Sequence, residues 1–93
     1  MQFRLIYLDE YLYLLALEKV HKEDDYKDIV ICSTNISLIT SWICDKYNVS
    51  NKEVLDKLRS IINSIRKDNS VQNKINLIKQ LNRWLDNLEI KEV

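Results

Sequence analysis

The absence of glycine and proline from all 93 residues limits how this chain can turn. Glycine supplies positive-φ turns, bulges and close backbone approaches, and proline pre-sets turn geometry. A sheet-rich fold with several tight hairpins depends on such residues, whereas helices joined by short Asn, Ser and Asp turns do not. The composition therefore favours an all-α or α-rich fold. The abundance of Ile, Asn, Lys and Tyr, whose codons are AT-rich, points to a second cause of the same bias. An AT-rich genome, such as that of a phage, a virus of archaea or a low-GC bacterium, also depletes Gly and Pro.

The length suits a single domain spanning 1–93, and large aliphatic residues occur throughout it. Four helices are predicted from apolar periodicity and capping signals, forming a small helical bundle. The first spans about 9–23, with Asp9 as its N-cap and Tyr11–Leu17 apolar on more than one side. Ser33, Thr34 and Asn35 offer caps for a helix over about 36–47, with Ile36, Ile39, Ile43 and Tyr47 on one face. Asn48, in a left-handed conformation, would end it.

A capping box, Ser50-Asn51-Lys52-Glu53, opens a third helix over 51–67 with the stripe Val54, Leu55, Leu58, Ile61, Ile62 and Ile65. Asp68-Asn69-Ser70 introduces a fourth over 71–88, whose apolar face is Val71, Ile75, Ile78, Leu81, Leu85 and Leu88. Residues 3–8 and 29–32 are β-prone and leave room for one or two short strands. With the 9–23 helix between them, these would make a small βαβ-like unit.

Formal net charge is zero but unevenly spread. Residues 9–28 hold seven acidic against three basic side chains, and 57–83 hold seven basic against one acidic. Asp24, Asp25 and Asp28 lack the spacing and glycine of a calcium loop, and one histidine, His21, excludes any site needing two imidazoles. Cys32 and Cys44 lie in apolar stretches, without metal-ligand spacing or a redox motif, and read as reduced core residues of a cytoplasmic protein. Without glycine there is neither a phosphate-cradling loop nor a nucleophile elbow. The longest early uncharged run, Tyr11–Leu17, is far below the ~20 residues of a membrane span. No enzyme activity, cofactor, metal, membrane association or targeting segment is expected.

Two binding functions remain. Five tyrosines, two tryptophans and the broad apolar surface at 11–17 exceed the needs of one small core. They indicate a protein–protein interaction module of the inhibitor, adaptor or immunity type, with a homodimer as a further arrangement. Tyr11, Tyr13 and Trp84 are its candidate apolar contacts, the two tyrosines on different faces of the first helix. Arg59 and Arg66 are the contacts for an acidic partner.

The alternative rests on Ile43–Ile62, which resembles a helix-turn-helix core with Val49 turned inward and 51–60 as the reading helix. A dimer of this kind would bind duplex DNA through Lys52, Arg59, Arg66 and Lys67. The first three recur every seven residues along one flank. Glu53 and Asp56 in the leading turns, and the zero net charge, oppose that reading.

Overall fold

Residues 9–23 do not begin as a helix. In the computed structural model, Asp9 and Glu10 form a two-residue turn with φ of 51° and 69°. Positive φ at both positions is the geometry that joins antiparallel strands without splaying them. The strands are β1 (Gln2–Leu8) and β2 (Tyr11–Lys19), paired from Leu8↔Tyr11 back to Gln2↔Leu17. The structure describes residues 2–19 and 26–91, with side-chain environments for 2–16 and 33–91. Residues 20–23 of the expected helix lie outside that set.

A strand forms at 11–19 because its side chains sort in twos. Leu12, Leu14 and Ala16 are buried, as are Phe3 and Leu5 on the same face of β1. Tyr11, Tyr13 and Leu15 point the other way. Leu and Ala favour helices when isolated, but here burial against the helical layer outweighs that weak preference.

β3 (Tyr26–Ser33) pairs antiparallel with β2, giving the order β1-β2-β3 with register shifts between Ala16 and Leu17 and between Glu18 and Lys19. The β-prone segments at 3–8 and 29–32 are thus both strands, each longer than expected. They belong to an antiparallel meander rather than a βαβ unit.

Three helices follow in the described residues. α1 (Ile36–Lys46) is capped by Asn35, whose Oδ1 accepts from Leu38 N–H at 3.2 Å. It buries Ile39, Thr40 and Ile43, and the Thr40 hydroxyl donates to the Ile36 carbonyl at 2.8 Å. Asn48 does not end this helix in a left-handed conformation, because positive φ occurs only at Asp9 and Glu10 among the described residues. Tyr47 is extended and bridges to Ile90. Asn48 N–H donates to Glu89 O at 2.8 Å, and Lys91 N–H to Lys46 O at 2.9 Å. The segment after the last helix thus straps the end of α1.

α2 (Asn51–Lys67) begins as its sequence predicts, with Ser50 Oγ accepting from Glu53 N–H at 3.2 Å, and buries Val54, Leu58, Ile61 and Ile65. α3 (Val71–Asp86) is capped by Ser70. Asn73 Nδ2 donates to Asp68 O at 2.7 Å and Ser64 O at 3.3 Å, closing the turn between α2 and α3.

The core joins Phe3, Leu5, Leu12, Leu14 and Ala16 of the hairpin to Ile39, Ile43, Tyr47, Val54, Leu58, Ile61, Ile65, Leu81 and Leu85. Helices of 11, 17 and 16 residues outweigh strands of 7, 9 and 8, so the fold is α-rich. Among the described residues it is not the expected four-helix bundle but three helices packed with a three-stranded sheet. α3 departs from expectation at its start, where Val71 is 71% and Ile75 43% exposed. The first third of its apolar stripe faces water.

Candidate interaction surface

An antiparallel sheet with one face on a core ordinarily presents polar side chains outward. The hairpin here presents Ile6 paired with Tyr13, Leu8 with Tyr11 and Arg4 with Leu15. Ile6 is 38%, Leu8 56% and Tyr11 60% exposed, while Tyr13 and Leu15 are half-buried. Five of these six outward side chains are apolar or aromatic. Because Tyr11 and Tyr13 are two residues apart on a strand, they share this face rather than the different faces a helix would impose.

The apolar surface continues around the β1 edge onto α3. Ile6 and Tyr7 line a groove of about 290 Å³ with Lys74, Ile75, Ile78 and Lys79. Val71 lies one helical turn before Ile75. Beside this groove, Tyr7 also lines a cavity of about 370 Å³ with Glu10, Tyr11, Arg66 and Asn69. Arg66 and Tyr11, expected on separate grounds to contact a partner, are therefore brought together.

The other expected contacts lie elsewhere. Trp84 is half-buried and packs against the core. Lys52, Arg59 and Lys67 are exposed on α2, as is Arg66. Val49 packs against the core between α1 and α2, as the helix-turn-helix resemblance requires.

Where β1 approaches the C-terminal half of α3, its edge is closed. Leu5 N–H donates to Asn82 Oδ1 and Asn82 Nδ2 donates to Leu5 O, both at 2.8 Å. Arg4 Nη1 lies 3.3 Å from Asp86 Oδ2, an exposed pair worth little on its own. Behind Phe3, Tyr47 packs edge-on at 6.3 Å between ring centroids, and Lys46 Nζ sits 4.6 Å from the Phe3 ring centre. Burial lowers the Lys46 pKa and raises that of the Tyr47 phenol. For Tyr47, Asp86 adds to the rise and Arg4 opposes it.

Cys44 lines a cavity of about 360 Å³ with Ser37, Thr40, Ser41, Asp45, Asn51 and Leu55. Burial raises its pKa, Lys91 opposes the shift and Asp45 adds to it, so the thiol stays protonated and weakly nucleophilic. His21, Asp24 and Asp25 lie outside the described residues, and the side chains of Asp28 and Cys32 are likewise outside. Among the described residues no three His, Cys, Asp or Glu side chains are placed to hold a metal ion, and no helix is long and apolar enough to cross a membrane.

Sequence reasoning missed Ile6, Leu8, Leu15, Val71 and Ile75 as surface residues. One signal for them was present: an apolar run at 11–17 that leaves a strand no polar side, beside an α3 stripe too long for one small core. Fold and surface together define a small α-rich α+β domain with an apolar outer sheet face. No family model, curated protein or solved structure matches the chain.

Proposed function

We propose that the protein is a non-enzymatic protein–protein interaction module. It acts as a small inhibitor, adaptor or immunity-type protein, occluding a partner's surface with the outer face of β1–β2 and the adjoining start of α3. One observation carries this reading: Ile6, Leu8, Tyr11, Tyr13 and Leu15 form the water-facing side of a hairpin whose other side already builds the core. Contiguous exposed apolar surface of this kind marks association sites. The tyrosines add area with a polar handle suited to an interface.

The test is affinity capture with the wild type and with Ile6→Lys and Tyr11→Ala variants whose folding is verified by circular dichroism. A partner retained by the wild type and lost by both variants supports the reading. A partner retained equally by all three overturns it.

A second reading, DNA binding through a helix-turn-helix and most simply as a dimer, is favoured by one arrangement. Val49 packs inward at the turn while Lys52, Arg59 and Arg66 stand exposed along α2. It requires salt-sensitive binding of duplex DNA that an Arg59→Glu/Arg66→Glu double variant abolishes. Lack of wild-type binding even at low salt rejects it.

A further inference from the structure

We propose that the groove between the end of β1 and the start of α3 binds an extended peptide segment in which aliphatic side chains alternate with carboxylates. The segment adds to the sheet at Tyr7. The inference rests on the interaction-module reading and names the chemistry of the partner.

The backbone of β1 provides the first argument. Leu5 directs both its N–H and its C=O at α3, where Asn82 meets them. Along an antiparallel edge strand, residues two apart direct these groups the same way, so Tyr7 turns its N–H and C=O toward the same open edge. No protein group among the described residues meets them. Beyond the contact at Asn82, β1 and α3 are no longer bonded to each other, and the groove of about 290 Å³ opens between Ile6-Tyr7 and Lys74–Lys79. A peptide entering it gains the hydrogen-bond pair of Tyr7 and is stopped at Leu5 by the Asn82 carboxamide. The backbone pair then contributes affinity and register, and the side-chain contacts along the groove supply specificity.

The walls state which side chains. Ile6, Ile75 and Ile78 offer an apolar floor for aliphatic groups. Lys74 and Lys79 also line it, with no acidic residue in the lining. Past Tyr7 the adjoining cavity adds Arg66 against Glu10. Three cations to one anion along this path favour carboxylates on the occupant. A bare polyanion satisfies the lysines but neither the isoleucine floor nor the Tyr7 donor–acceptor pair. An alternating acidic and aliphatic peptide satisfies all three.

The test is a titration of ¹⁵N-labelled full-length protein with a blocked peptide alternating glutamate and valine, and with its lysine–valine counterpart. A third peptide carries glutamate and valine with N-methylated backbone on one edge. Saturable shifts of the Tyr7 and Ile75 amides by the first peptide are expected. The lysine peptide, the methylated peptide and a Lys74→Glu/Lys79→Glu variant are each expected to weaken binding about tenfold or more.

Absence of saturable shifts at millimolar peptide, shifts centred elsewhere, or equal binding of the lysine peptide overturns the proposal. Concentration-dependent shifts of the same amides without peptide also overturn it, because a second copy of the chain then fills the groove. Suppose the peptide fails while Ile6→Lys still loses a captured partner. Only this inference then falls, and the interaction reading stands.

Discussion

The side-chain amide of Asn82 binds the backbone of Leu5 as a neighbouring strand would, receiving its N–H and donating to its C=O, each at 2.8 Å. The two residues are 77 positions apart, and this contact closes the chain by pinning α3 to the first strand. It also occupies the outward backbone groups of β1 at Leu5. Edge strands with open backbone groups are templates for unwanted pairing, and a carboxamide cap is an economical barrier to it.

Replacing Asn82 with Ala leaves a part-buried N–H and C=O without partners. The variant is expected to lose roughly 1–3 kcal/mol of stability, the cost of unsatisfied buried polar groups. It is also expected to self-associate as the edge opens. Urea denaturation reads the first effect and sedimentation equilibrium the second. Unchanged stability and a strictly monomeric variant would show that the cap is dispensable.

The hairpin turn holds two non-glycine residues at positive φ, Asp9 at 51° and Glu10 at 69°. Asp tolerates this region because its short side chain bonds locally, and Glu tolerates it less well. Glu10→Gly relieves the conflict and is expected to stabilise the fold by about 0.5–1 kcal/mol, less what glycine adds to unfolded-chain entropy. Glu10→Val is expected to destabilise it. Denaturation midpoints of the two variants should move in opposite directions at constant m-value.

The two faces of the hairpin should separate stability from binding. Leu14, fully buried, sits opposite Leu5, whereas Ile6 pairs with Tyr13 on the outer face. Leu14→Ala is expected to cost about 2–5 kcal/mol through lost burial and a residual cavity. Ile6→Thr is expected to change stability by no more than ~0.5 kcal/mol, as surface substitutions do, while weakening partner retention. A large stability loss from Ile6→Thr would place that side chain in the core instead.

Alkaline pH should expose the environment of Tyr47. Its pKa is raised from 10.0 by burial and by Asp86, against the opposing effect of Arg4. The folded state therefore holds this proton more tightly than the unfolded chain does. The corresponding stability is complete below pH 10 and is lost as pH rises through the folded-state value. Lys46, lowered from 10.5 by burial, acts in the opposite sense over a nearby range, so the difference between wild type and Tyr47→Phe isolates the phenol. The stability advantage of Tyr47→Phe over the wild type should grow above pH 10, as followed by thermal melts. A difference independent of pH would mean the phenol is as solvated as in the unfolded chain.

How far the fold was legible varied along the chain. α2 runs from Asn51 to Lys67 as its sequence predicts, because Ser50 caps it locally and Val54, Leu58, Ile61 and Ile65 repeat at helical spacing. α1 and α3 were placed to within one or two residues at their ends for the same reason. β2 was not legible. Its inward Leu12, Leu14 and Ala16 alternate with the equally apolar Tyr11, Tyr13 and Leu15, which erases the period of two. Its turn carries Asp and Glu in place of the Asn-Gly that announces a hairpin. The candidate surface was half visible: Tyr11 and Arg66 were named from composition and charge, without any sign that they line one cavity. Trp84, named on the same grounds, is half-buried against the core and lies apart from that cavity.

By itself, then, the sequence determined α1, α2 and α3 and their N-caps at Asn35, Ser50 and Ser70, since those depend on partners within four positions along the chain. Tertiary structure decided the rest. Tyr11–Lys19 becomes a strand because Phe3 and Leu5 lie across from Ala16 and Leu14 and a helical layer stands ready to cover them. The exposure of Ile6, Val71 and Ile75 follows from where α3 meets β1, at Asn82 and Leu5, and where the two part. Burial is a property of distant segments meeting, so an apolar residue's place in core or surface is settled only when the elements are packed.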